Sequence, residues 1–94
     1  MRYIITLHSL YGVKFYDGGF YLAEIVKQEK FENGTYKGEK GVFVEIVKIG
    51  SKFKVQCRSI YAHLGSPREY VHQIHENLEH AKDAFATLKS LVQQ

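Results

Sequence analysis

Three histidines and two glutamates crowd one short stretch of this chain and invite a search for metal chemistry. His72, Glu76 and His80 stand four residues apart, as do His75 and Glu79. On a helix that spacing puts side chains on one face, where imidazole and carboxylate can hold zinc or nickel. The run His75-Glu76-Asn77-Leu78-Glu79 approaches the helix motif of zinc proteases. It departs at the second ligand, because position 79 is Glu and His80 comes one residue late. A solvated polar face accounts for all five residues, so neither a metal nor another cofactor is expected.

Nucleophiles are equally sparse. Cys57 is the single thiol and falls in an apolar alternation, which makes it a small buried hydrophobe. Ser9, Ser51, Ser59, Ser66 and Ser90 lie in no nucleophile motif, and the acids form no pair placed for acid–base work. Residues 34–41 are glycine-rich, yet a strand pattern follows them. They therefore lack the helix N-terminus that cradles a phosphate. No enzyme is expected.

A hairpin carries more. Residues 42–49 and 52–61 read as strands around Gly50-Ser51, which suits a two-residue turn of type II′. That turn sets Ile49 opposite Lys52, Val47 opposite Lys54, Glu45 opposite Gln56 and Phe43 opposite Arg58. Val42, Val44, Ile46, Phe53, Val55 and Cys57 then share one face, the expected core side. The other face presents Phe43, Val47 and Ile49 among Lys52, Lys54 and Arg58. Basic groups interleaved with aromatics suit single-stranded nucleic acid, with charge for phosphate and rings for bases. They suit a protein partner equally, through aromatic and Arg anchors. Phe43, Val47, Lys52, Lys54 and Arg58 are the expected binding residues, provided that neither the first strand nor the Asn33 hairpin covers them.

The elements that must position these groups follow from glycine punctuation and periodicity. Residues 2–9 read as a first strand, and residues 13–17 and 20–27 as a hairpin around Gly18-Gly19. Residues 30–37 read as a small exposed hairpin around Asn33-Gly34. Ser66, Pro67 and Glu69 form a helix start with a capping box. Val71, Ile74, Leu78, Ala81, Phe85, Leu88 and Val92 continue it as an apolar stripe at alternating spacings of three and four. Within the expected helical region 66–93, some 26 residues make about 39 Å of helix. Covering its own sheet is the first role for that stripe. Its last turns are long enough to overhang, which makes Phe85, Leu88 and Val92 the expected seam of a homodimer.

The expected fold class is α+β in a single domain, residues 1–94. An antiparallel β-sheet of about four to five strands, flat or curled or SH3-like, occupies residues 1–64. One long C-terminal amphipathic helix packs on one face. The stretch Tyr36-Lys37-Gly38-Glu39-Lys40-Gly41-Val42, followed by a basic hairpin, resembles the glycine-containing turn of KOW-type SH3-like barrels. The resemblance covers under a third of the chain and implies a small barrel that binds RNA.

At 94 residues with 45% hydrophobic and 24% charged content, the chain has the composition of a folded domain. Its net charge of +3 is uneven: residues 1–68 hold 11 Lys/Arg against 6 acids, and residues 69–94 hold 2 Lys against 4 acids. No apolar run reaches membrane-spanning length, the N-terminus lacks a signal-peptide pattern, and the one cysteine has no internal disulfide partner. A cytoplasmic setting is expected. The expected function is a small non-catalytic protein-interaction module that regulates or inhibits a partner protein. Such motif-free domains are common among phage and mobile-element proteins that block host machinery, anti-CRISPR proteins among them. The alternative is a nucleic-acid-binding module using the basic-aromatic sheet face.

Overall fold

The computed structural model describes the backbone of residues 11–16 and 19–93 and the side chains of residues 23–93. The strand expected at residues 2–9 lies outside the described residues. Five strands form a meander: β1 Tyr11–Tyr16, β2 Gly19–Tyr36, β3 Glu39–Ile49, β4 Lys52–Ser59 and β5 Glu69–His75. Each pairs antiparallel with the next, in the order β1-β2-β3-β4-β5, and the sheet stays open. One C-terminal helix, α1 Leu78–Leu91, packs across β3, β4 and β5. The α+β class and the sheet-then-helix order are as expected, whereas the barrel implied by the KOW-like turn does not close.

The β3–β4 hairpin has the register read from its turn: Ile49↔Lys52, Val47↔Lys54, Glu45↔Gln56 and Phe43↔Arg58. Of the two turn residues only Gly50 has positive φ, at 61°, the pattern of a type II′ turn. The face built from Val42, Val44, Ile46, Val55 and Cys57 is buried against Ala81, Ala84, Phe85, Leu88 and Val92. Phe31, Tyr36, Phe53, Tyr70 and Leu78 close the rim of this core.

The β2–β3 turn lies elsewhere than expected. It is made by Lys37 and Gly38, both at positive φ (49° and 83°), as a type I′ turn requires. Asn33 and Gly34 sit inside β2, where the pairing register shifts between Phe31 and Thr35. Gly34 is needed there for close approach. A Cβ at that position would lie 2.7 Å from both the Phe31 Cβ and a Val92 methyl.

The largest correction concerns residues 66–77. The Ser66 and Glu69 signals are satisfied, but by a loop: Arg68 N–H donates to Ser66 Oγ and Gly65 N–H donates to Glu69 Oε2. The chain then continues as β5 rather than as a helix. Tyr70, Val71 and Ile74 favour a strand. A bulge disguised it. Gln56 pairs with Val71 and Lys54 with Ile74, so the two apolar residues share a sheet face although they are three apart. That spacing imitates a helical turn.

The helix begins instead at Asn77, whose side-chain oxygen accepts from the N–H groups of Glu79 and His80. Fourteen residues make about 21 Å of helix. Ala81, Ala84, Phe85 and Leu88 face the sheet. After α1, Gln93 bridges to Thr35 through two backbone hydrogen bonds of 2.7 and 3.0 Å. This anchors the chain end to β2. Asn77→Ala should cost about 0.5–2 kcal/mol by removing the cap, read as a lower urea midpoint with unchanged slope.

Candidate functional site

The expected basic-aromatic face is not a solvent-facing surface. Val47 is fully buried, Arg58 and Lys54 are 4% and 8% exposed, and Phe43 is half-buried. Of the five residues only Lys52 is exposed, and it pairs with Glu76 at 3.5 Å. The loop after β4 folds onto this side. Leu64 packs against the buried cluster of Ala23, Val47 and Ile49, and the Arg58 guanidinium donates to the Ala62 carbonyl.

Charge on this face is internally matched. Glu45, fully buried, accepts from Gln28 Nε2 (2.9 Å), Gln56 Nε2 (2.7 Å), Arg58 Nε (2.9 Å) and Arg58 Nη2 (3.0 Å). The guanidinium also lies 4.9 Å from the Phe43 ring centre. Lys54 Nζ donates to Glu69 Oε1 at 3.1 Å, with both side chains covered. Two cations and two carboxylates thus alternate across β3, β4 and β5. What reads in sequence as a positive stripe is a neutral polar layer. Sequence reasoning placed Glu45 opposite Gln56 but missed its pairing with Arg58. The two lie diagonally across the hairpin, and that placement already put an acid among the bases.

The histidine-rich stretch is divided among elements. His72 and His75 lie on β5, Glu76 in the turn and His80 on α1, so the helical face expected for His72, Glu76 and His80 does not exist. The His75 and His80 rings meet edge-on at 6.2 Å, and His75 Nε2 lies 2.6 Å from Gln73 Oε1. Among the described residues no three His, Cys, Asp or Glu side chains converge on a point that could hold a metal. A cleft of about 350 Å³ lies between the β2–β3 turn and the end of α1, lined by Thr35, Tyr36, Lys37, Gly38, Leu91 and Gln93.

Cys57 is fully buried on the helix side of β4. Burial, and then the Glu45 charge, push its thiol up to about 12 from an ordinary 9.0. The thiol therefore stays protonated and inert in the native state. Above about pH 9 the unfolded chain releases this proton and the folded chain keeps it. Stability from this group is present below that pH and is lost as pH rises toward about 12. The urea midpoint should fall between about pH 8 and about pH 10 by the equivalent of about 1 kcal/mol, and less in Cys57→Ala.

The seam expected at Phe85, Leu88 and Val92 is also taken. Their exposures are 2%, 0% and 6%, all against this chain's own sheet. The 14-residue helix does not overhang. Leu91, 49% exposed, is its outward apolar residue.

Among the described residues, β5 is left with one side unpaired. It is a terminal strand of an open sheet, and among the described residues it pairs only with β4. An edge strand presents unpaired backbone N–H and C=O groups in alternation. Val71 and Ile74 lie side by side on one face of it, 49% and 44% exposed. The strand contains no Lys, Arg or Pro, the residues that usually discourage strand addition. Tyr61, 76% exposed, stands on the loop leading into it. Sequence reasoning missed this site because it read β5 as helix. The signal was present in the β-rich segment and in Asn77 with Glu79 as a later helix start. Among the described residues no helix is long and apolar enough to cross a membrane. Comparison with protein-family models, with characterised proteins and with solved structures finds no match to this chain.

Proposed function

We propose that this protein is a non-catalytic interaction module that captures an extended segment of a partner protein by strand addition along β5, and so regulates or inhibits that partner. The observation that supports this reading is the pair Val71 and Ile74, exposed together on a strand that among the described residues pairs only with β4. Backbone hydrogen bonds along the edge supply affinity. Apolar contacts to alternate side chains of the captured strand supply selectivity. The buried layer of Glu45, Gln56 and Arg58 ties β3 to β4 behind the edge. A preformed edge avoids the ordering cost of a flexible one.

The test is a parallel capture from the source cell with the wild-type chain and with Val71→Lys/Ile74→Lys. Both substituted positions are about half exposed, so the variant keeps its fold, which circular dichroism checks. A stoichiometric partner held by the wild type and lost by the variant is the expected result. A partner held equally by both overturns β5 as the site, and the absence of any stoichiometric partner overturns the interaction reading.

A further inference from the structure

We infer that the β5 edge also pairs with a second copy of this chain, antiparallel about a two-fold axis between His72 and Gln73. This rests on the reading of β5 as a pairing-competent edge and names one occupant of it.

The bulge is what lets Val71 meet Ile74. In a regular strand residues three apart point to opposite faces, and a two-fold axis perpendicular to the sheet passes through a residue, so Val71 meets a residue an even number of places away. Here Val71 and Ile74 face the same side. About the axis named, Val71 of each copy therefore meets Ile74 of the other, and the two half-exposed pairs join into one apolar patch across the seam. On the helix side Tyr70 and His75, partners of Cys57 and Phe53, come opposite one another in the same register.

Charge at the strand ends is matched within one chain: Arg68 donates to both carboxylate oxygens of Glu39 at 2.8 and 2.7 Å, Glu76 pairs with Lys52 at 3.5 Å and Glu69 with Lys54 at 3.1 Å. The seam therefore brings no unmatched like charges together, and its register is set by the apolar pairs.

The seven residues of β5 are at most about a third of the 20–30 residues a side of a standard interface, so the pair dissociates on dilution. A partner segment and a second copy then compete for the same edge, and self-pairing holds the edge closed until a partner displaces it.

Sedimentation velocity from about 1 μM to about 1 mM tests this on the full chain. The wild type should pass from monomer to dimer over that range, and Val71→Lys/Ile74→Lys should remain monomeric at its upper end. A chain monomeric throughout, or a dimer that survives the two lysines, overturns the inference. If partner capture depends on Val71 and Ile74 while the chain stays monomeric, this inference falls and the proposed function stands.

Discussion

Replacing Glu45 with Ala is expected to remove about 3–5 kcal/mol of folding stability, although Glu45 lies in no cleft and on no outer surface. The carboxylate is fully buried and accepts four hydrogen bonds, two of them from Arg58. Its loss leaves a guanidinium that is 4% exposed with the Ala62 carbonyl and the Phe43 ring as its remaining contacts. An uncompensated buried charge is far more costly than a missing contact. A domain of this length holds only about 5–14 kcal/mol in total, so the variant is close to unfolding and urea melts should show it. The companion variant, Glu45→Leu/Gln56→Leu/Arg58→Met, removes both charges together and relieves Gln56 Oε1, a buried oxygen with no hydrogen-bond partner. It should be neutral or more stable than the wild type. A loss below about 1 kcal/mol for Glu45→Ala would mean that water reaches this layer.

The same layer explains which parts of the fold were legible in the sequence. The β3–β4 hairpin was readable to the residue because Gly50-Ser51 fixes a register and Val42, Val44 and Ile46 alternate cleanly beside Val55 and Cys57. What lies over its far face was not readable, because cover is a long-range property. Lys54 and Arg58 look like a cationic surface until Glu69 and Leu64 are brought onto that face by a loop. Local rules failed where two structures share one local signature. Ser66 with Glu69 caps a helix in one context and closes a loop in another. Val71 and Ile74, three apart, mark a helix face or a bulged strand equally well. Asn33-Gly34 is a turn signal, but the close packing of Val92 over Gly34 uses the glycine for space and the turn moves to Lys37-Gly38. The candidate site fell in the misread segment, so its residues became visible only in three dimensions.

Phe85→Ala should lower stability by about 3–5 kcal/mol and Leu88→Ala by about 2–5 kcal/mol, and both losses should be independent of protein concentration. Concentration dependence separates two accounts of the same residues. Were Phe85, Leu88 and Val92 the seam of a homodimer, truncation would shift an association equilibrium and leave the monomer's unfolding unchanged. Buried against Val44, Ile46 and Cys57, they are instead the helix's half of one monomeric core. Phe85 is the largest side chain fully enclosed there, and its ring lies 5.0 Å from Lys27 Nζ and 5.8 Å from Lys89 Nζ. Lys89 in turn donates to Glu29 at 2.8 Å, so the ring sits beneath a small tether from α1 to β2. Truncation opens a cavity at the centre of the helix–sheet contact and removes both cation–ring contacts. For a domain of this size the thermal midpoint should fall by about 12–40 °C. Leu91→Ala, one turn on and 49% exposed, should change stability by no more than about 0.5 kcal/mol. Melts of the unsubstituted chain and the three variants at two well-separated concentrations decide the matter, because any pairing through β5 shifts all four alike. A loss for Phe85→Ala, relative to the unsubstituted chain, that changes with concentration would return these residues to an interface between copies.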